Sequence, residues 1–561
     1  MAVARERPLR LPDHRPQRPK KNAVSKEDTV PIRSIRSIRP ILPGYYPDPS
    51  ICRVDGTFWL VNSSFEYLPG VPVHRSTDLV HWEQVGHAYT RPAALPLPGG
   101  DAGSQGTFAP TIRHHDGIFY VIVTNMGQDP LSQRIVRTTD PAAGWSDPVE
   151  VADTPGIDPD LCWDEEGVCH LSWRGVSFTG GTAVSTLWSV PIDPDTGRRL
   201  GEAVELWQGT GMRDPEGPHL YRRRGWWYLL LAEGGTGVGH CVTMARAREL
   251  TGPWEQHPGN PILTHRSTDH PVQATGHADL VPLDADDWDG ARFAMVHLGI
   301  RQLEPFPGYH VNGRETFLVG VDWEGNWPTV VEDRYAGAIA ARDAASTHAF
   351  TDELRGRPGP VTDDDAPWDL PDRWVSPGGL ARTALARDAA GRLTIAAPDD
   401  DAPRPLLATR CRDAAWRAEA ELAVEPGAVV ELCVYLDPDH RAAVRWDGER
   451  AVAVATAAPF EQILGELAAE DLKASLGRAT CLWVSAQLPE SGFFGQQVPD
   501  ELVLGVRVGA RDVELGRLDG RYLSTEVAGG FTGRVVGVRA VSGTATIERF
   551  GYRPLRIVGP Q

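Results

Sequence analysis

Hydrophobic and polar positions along the N-terminal half of this chain follow a pattern that repeats five times. A charged residue and a glycine introduce each apolar run: Asp55-Gly56 before TFWLVNSS, Asp116-Gly117 before IFYVIVTN, Glu166-Gly167 before VCHLSW, Arg224-Gly225 before WWYLLLAE, and Asp289-Gly290 before ARFAMVHL. The runs are rich in β-branched and aromatic residues and are bounded by Gly, Pro and Asp, the composition of short strands between turns. Their spacing of roughly 50 to 65 residues leaves room for four strands per unit, so the repeat predicts radially arranged blades and, with five units, a five-bladed β-propeller. A second recurrence falls late in three units: STDLVHW (Ser76 to Trp82), TTDPAAGW (Thr138 to Trp145) and ARELTGPW (Ala247 to Trp254). It predicts an outer strand ending in a turn anchored by tryptophan.

The pattern breaks between Arg334 and Asp372, where Ala-rich and then Asp/Pro-rich sequence (AGAIAARDAASTHAF, GRPGPVTDDDAPWDLPD) predicts a helical or irregular connector. Beyond it, runs of period two such as WRAEAELAVE, AVVELCVYLD and GRVVGVRAV, joined by Gly, Asp and Pro turns, predict an antiparallel β-sandwich. The expected organisation is all-β: a basic disordered tail over 1–35, a propeller over 36–335, a connector over 336–370 and a sandwich over 371–561.

Three acidic motifs share a phase within the repeat. Tyr-Pro-Asp48-Pro-Ser, Gly-Ile-Asp158-Pro-Asp and Pro-Glu216-Gly-Pro-His place their acids seven or eight residues ahead of the turns at Asp55, Glu166 and Arg224. The innermost strand of each blade lines the channel of a propeller, so residues at one phase meet on a ring around the axis. In the second unit that phase holds Phe108 of Phe-Ala-Pro, and in the fifth it lies close to Gly276-His277-Ala278-Asp279. The expected funnel carries three carboxylates, an aromatic wall and a histidine. The neighbouring prolines fix the backbone and so the aim of each carboxylate. One such motif alone reads as a turn; three in phase read as a site.

Length and composition narrow the partners. At 561 residues the chain exceeds a single core and divides naturally in two. A formal net charge of −19 argues against nucleic acid and for a neutral or cationic ligand. Seven cysteines without CxxC pairs resemble neither a disulfide framework nor a zinc site and read as reduced thiols. The first forty residues (RPQRPKK, RSIRSIRP) lack the apolar core of an export signal, and no stretch has the length and apolarity of a membrane span. Cytoplasmic placement is expected, with a homo-oligomer left open.

Paired carboxylates in a confined site suit glycosidic bond hydrolysis, in which one acid protonates the leaving oxygen and one carboxylate activates water or attacks. A third carboxylate raises the pKa of its neighbours and so helps to keep the acid protonated. Spacing alone does not assign the roles. The motifs PGYYPDPS, GIDPDL, PEGPHLY with the following Trp-rich strand and LAEGGT, then GHADLV, GRET and RYLSTEVAGGFTG resemble the family 43 glycoside hydrolases, in the two-domain β-xylosidase and α-L-arabinofuranosidase branch.

That resemblance implies an inverting exo-glycosidase releasing xylose from β-1,4-xylo-oligosaccharides. The alternatives are an α-L-arabinofuranosidase acting on arabinosides, alone or as a dual activity, and a carbohydrate-binding propeller without catalysis. By resemblance Asp48 matches the general base, Glu216 the general acid, Asp158 the residue that tunes and orients that acid, and Arg314 an arginine that binds sugar hydroxyls beside Asp158. His277 matches a histidine that holds a calcium ion in some members, a buried core histidine being the other reading; no cofactor is otherwise required. Phe531 matches an aromatic that reaches from the sandwich to wall the site, with a plain loop role as the other reading. Phe65, next to Glu66, is either the apolar floor of a sugar pocket or core. The sequence departs from the family pattern at Phe108 (usually Trp), Asp160 (commonly Ser) and Arg213-Asp214 (usually small or neutral residues), which bears on substrate preference more than on catalysis.

Overall fold

The computed structural model describes residues 39–91, 94–97, 103–127, 131–283, 288–305, 308–361, 369–379, 384–399, 402–468, 479–488 and 499–555; the expected basic tail lies outside them. Each charged-residue–glycine pair closes a hairpin between the first two strands of a sheet. Ser50–Val54 pairs with Thr57–Val61, Thr107–His115 with Ile118–Asn125, Ile157–Trp163 with Cys169–Thr179, Glu216–Arg223 with Trp226–Glu233, and Val272–Pro282 with Arg292–Arg301. Two further antiparallel strands complete each sheet, and a fifth, Val204–Trp207, joins the third sheet. The five sheets, blades I to V, form a five-bladed propeller with the first strand of each innermost. The tryptophan turns lie between the third and fourth strands of blades I, II and IV, so the strand ahead of each is third rather than outermost. Trp82 Nε1 donates to the carbonyl of Leu79 at 2.7 Å across the first of them.

Each blade is apolar on both faces because each is packed between two others, and five cores fill the gaps. Trp59 and Val121 pack between blades I and II, Ile122 and Leu171 between II and III, Leu187 and Leu229 between III and IV, Met244 and Phe293 between IV and V, and Phe58 and Val296 between V and I. The innermost strands are stitched by polar side chains. Ser50 Oγ accepts from the amide of Ile112 at 3.1 Å, and Thr111 Oγ1 donates to the carbonyl of Pro159 at 2.7 Å. Asp160 accepts from the amide of Leu220 at 2.9 Å, and Tyr221 Oη accepts from the amide of Leu280 at 3.1 Å. Asp279 accepts from the amide of Ile51 at 3.0 Å and from Ser50 Oγ at 2.7 Å, which joins blade V to blade I. Arg113 sits at the centre, 2.8 Å from Asp160 and 2.7 Å from Asp279, with both carboxylates fully buried.

After the propeller, the helix Ala336–Ala345 buries Ile339, and Arg342 ties it back by donating to the carbonyls of Pro40, Ile41 and Val80. The rest of the chain builds a nine-stranded antiparallel sheet and seven strands of an eight-stranded one. Their inward residues, among them Trp374, Trp416, Leu432, Val484 and Phe550, share one apolar core. Phe350–Asp352 and Gly359–Pro360, within the expected connector, already pair with the nine-stranded sheet. Tyr67–Leu68 leaves blade I to pair with Trp374–Pro377 at the edge of the other sheet, so the two halves are joined by main-chain bonds as well as by packing. Six of the seven cysteines are buried thiols. Among the described residues no helix is long and apolar enough to cross a membrane.

Replacing Arg113 leaves two buried carboxylates without their counter-charge, a change that costs on the order of 3–5 kcal/mol. Arg113→Ala is therefore expected to lower the denaturant midpoint of the propeller sharply. Unchanged equilibrium unfolding would show that the central ion cluster does not hold the blades together.

Candidate active site

The strand register dictates how acids reach the channel. The first strands of blades II to V break register at a common place: between Phe108 and Thr111, Ile157 and Asp160, Glu216 and His219, and Gly276 and Asp279. At each break one residue takes a positive φ: Ala109 (37°), Asp158 (60°), Gly217 (57°) and His277 (43°); Asp48 (52°) holds the same place ahead of Ser50 in blade I. A bulge of this kind re-aims a side chain out of the ladder, and left-handed backbone at a residue other than glycine costs on the order of 1–3 kcal/mol, a strain concentrated at functional sites. The structural repeat is thus a positive-φ residue, then Pro or Ala, then an axial polar residue. This corrects the phase read from the sequence. Asp48, Asp158 and His277 are equivalent positions, whereas Glu216 stands one residue earlier, at the place of Phe108.

The three acids have distinct surroundings. Asp48 is buried, accepts from Ser63 Oγ at 2.6 Å and lies 3.2 Å from Arg314 Nη1. Burial works to raise its pKa, but Arg314, His277 and the Ser63 hydrogen bond outweigh it, and the carboxyl is held below the usual range. Glu216 goes the opposite way: burial first, then the charge of Asp158, push it up to about 8. Asp158 is itself raised, by burial and by Asp48 against the opposing effect of His277. Its Oδ2 accepts from the amide of Gly217 at 3.1 Å, which fixes it next to the backbone of Glu216. One carboxylate is therefore kept ionised and another kept protonated in a single cleft.

The remaining predicted residues gather around these acids. Arg314 stands beside Asp48 rather than the expected Asp158; its neighbour Glu315 is fully buried between Arg301 and the amide of Gly44 and anchors the segment. Phe65, Phe108 and Phe531 form an aromatic cluster. Phe65 and Phe531 stack with centroids 5.9 Å apart, and Phe108 meets both edge-on at 5.2 and 5.8 Å. The Arg314 guanidinium lies 5.3 Å from the Phe531 ring. Phe531 comes from the loop between the short helix Thr525–Ala528 and the strand Val535–Ser542 in the C-terminal half, and is held by Ser104 Oγ, which accepts its amide at 2.7 Å. The aromatic wall is thus shared by both halves of the chain. His277 is buried, with Nδ1 3.9 Å from Asp48 Oδ1.

Three residues near the acids were not singled out from sequence. Ser63 supports Asp48, and its Oγ also accepts from the amide of Ala109; it lay within NSSF, beside Phe65. Arg174 acts on both Glu216 and Asp158 and is oriented by Ser185 Oγ at 2.9 Å, but a lone arginine in a strand carries no signal. His240 is buried and kept neutral, its pKa pushed down to about 3 by burial first and then by His277. Its ring fills the space a Cβ on Gly276 would need, 1.9 Å from that point, which accounts for the glycine of GHAD. Two departures from the family pattern resolve differently. Asp160 is fully buried in the central ion cluster and adds no charge at the mouth, whereas Arg213 is exposed and pairs at 3.2 Å with the half-buried Asp214.

The family model described as Glycosyl hydrolases family 43 matches residues 37–328. A Xylosidase/arabinosidase of Butyrivibrio fibrisolvens is 44% identical over 303 residues, covering 52% of this chain and 56% of that protein. The Non-reducing end alpha-L-arabinofuranosidase BoGH43B of Bacteroides ovatus is 44% identical over 300 residues, covering 52% and 53%. The chain thus spans about half the length of the curated relatives it matches. The solved structure of Bacteroides ovatus Xyloglucan PUL GH43B superposes with a TM-score of 0.74 at 29% identity, over 92% of this chain and 99% of that one.

Because the charge of Asp158 helps to hold Glu216 protonated, Asp158→Asn is expected to lower the Glu216 titration midpoint by at least about one pH unit. Carbon-13 NMR of the glutamate side-chain carboxyls reads this directly. An unmoved midpoint would assign the shift to burial alone.

Proposed function

The chain belongs to glycosyl hydrolases family 43, whose model covers more than half of it, and from that premise we propose an exo-acting, inverting glycoside hydrolase that releases xylose from the non-reducing end of β-1,4-xylo-oligosaccharides. The observation that carries this reading is the opposed ionisation of Asp48 and Glu216 in one cleft. In this reading Asp48 takes a proton from a water as that water attacks the anomeric carbon. The bond to the leaving oxygen breaks, and Glu216 delivers its proton to that oxygen. Asp158 keeps Glu216 protonated until then. Arg314 both holds Asp48 ionised and presents a fixed fork of donors to sugar hydroxyls, while Phe65, Phe108 and Phe531 wall the sugar from water.

An arabinofuranoside substrate is the second reading, because one relative at 44% identity is named for that sugar and another for both. We read residues 36–335 as the catalytic propeller, 336–370 as a connector and 371–561 as a β-sandwich; the core shared by the two C-terminal sheets supports the last. Calcium at His277 fits the described residues poorly. A hard cation takes six to eight oxygen ligands, and here one imidazole faces an Asp48 carboxylate already engaged by Ser63 and Arg314, so no step is derived through an ion. Cytoplasmic placement would make short imported oligosaccharides the substrate.

Two experiments test the roles. Glu216→Ala is expected to cut turnover of xylobiose by roughly 100- to 10,000-fold but that of 4-nitrophenyl β-xyloside far less, since that leaving group departs without a proton. Equal losses on both substrates would remove Glu216 from the acid role. In the wild type, kcat/KM is expected to fall as pH rises through about 8, where Glu216 loses its proton, with the acid limb below the usual carboxylate range because Asp48 stays ionised there. A basic limb that persists in a Glu216→Gln variant would contradict the assignment.

A further inference from the structure

Away from the channel, His265, His270 and Glu332 come together at the outer edge of blade V. The two histidines lie in the connector that enters the innermost strand at Val272, and Glu332 follows the outermost strand, Thr329–Val331. One ligand atom from each lies within 4.8 Å of the others. His265 Nε2 is 2.8 Å from Glu332 Oε2, and the two imidazole centroids are 3.6 Å apart. His265 is buried, His270 half-buried and Glu332 exposed, so the group is rigid on one side and open to solvent on the other.

A single backbone group orders both rings. The carbonyl of Val272 lies 2.8 Å from His265 Nδ1 and 3.0 Å from His270 Nδ1. A carbonyl only accepts, so an Nδ1 bonded to it carries its proton; in His265 the proton shared between Nε2 and Glu332 Oε2, 2.8 Å apart, is the one a bound cation would displace, and His270 Nδ1, which the amide of Val272 also approaches as a donor at 3.2 Å, leaves its Nε2 for the ion when it donates to the carbonyl. Backbone carbonyls orient ligating histidines in this way in metal sites.

We propose that His265, His270 and Glu332 bind one zinc ion through the two Nε2 atoms and the carboxylate, with water completing a tetrahedron. Two imidazoles and one carboxylate are a donor set for zinc rather than for calcium, which takes oxygen. Bond lengths of about 2.0–2.2 Å require the carboxylate to draw inward, and the exposed Glu332 is free to do so. The ion would staple the connector to the outer strand and brace the start of the innermost strand, which carries His277 and Asp279. It does not depend on the hydrolase reading.

The test uses the full chain, stripped with EDTA and titrated with zinc chloride in a calorimeter, with thermal unfolding followed in parallel. The expected result is saturable binding of one ion per chain and a raised unfolding midpoint. His270→Ala and Glu332→Gln, both at solvent-accessible positions, are expected to keep the circular dichroism of the wild type and to lose both effects. Cobalt loading gives a further readout, the visible absorption of a tetrahedral ion, present in the wild type and lost in both variants. Absence of saturable binding in the wild type, or wild-type affinity in either variant, overturns the proposal.

Discussion

Closure of the ring around Arg113 is the constraint on which the rest of the molecule depends. A propeller whose first and last blades come from distant parts of the chain must be joined where they meet. Here the joint is made at the axis, by Asp279 accepting from Ser50 and from the amide of Ile51. An isolated buried carboxylate would be prohibitively costly, but Arg113 pairs with both Asp279 and Asp160. Ser50, Thr111, Asp160, Tyr221 and Asp279 pass hydrogen bonds from blade to blade, so the innermost strands are fixed relative to one another to within a hydrogen-bond length.

The acids inherit that precision. Asp48 and Asp158 lie two residues before the axial residues Ser50 and Asp160, and Glu216 three before His219. The same bulge that sends one side chain down into the central cluster sends the other up into the cleft. Strain at each positive-φ residue is sustained because the axial hydrogen bonds leave the strand no room to relax. Catalytic groups on strands fixed in this way keep their geometry better than groups on loops. The C-terminal half adds what the propeller lacks, a third aromatic over the cleft, and the pairing of Tyr67–Leu68 with Trp374–Pro377 holds the two halves in register beside Phe65.

The strands and the blade count were legible in the sequence because a hairpin turn and an apolar run leave a local, periodic signature. TFWLVNSS and its counterparts became the second strand of each blade. Asp48, Asp158 and Glu216 were legible because the repeat brought them near one phase. What local sequence does not carry is the bulge, a register break common to blades II to V that strand pairing reveals; relative to its positive-φ residue, Glu216 stands one place ahead of the position that Asp48 and Asp158 hold. Asp160, two residues from Asp158 in sequence but on the opposite side of the bulge, belongs to the central cluster. The pairing of Arg314 with Asp48, and the contributions of Arg174 and His240, arise between blades and have no local signature.

In the proposed reaction a water activated by Asp48 attacks the face opposite the leaving group and inverts the anomeric centre, whereas direct attack by the Asp48 carboxylate would retain it. Proton NMR of xylobiose hydrolysis by the wild-type protein, recorded before the released sugar mutarotates, reads that directly. Initial release of α-xylose is the predicted result; initial β-xylose would contradict the account, because it would require a carboxylate to attack the sugar itself.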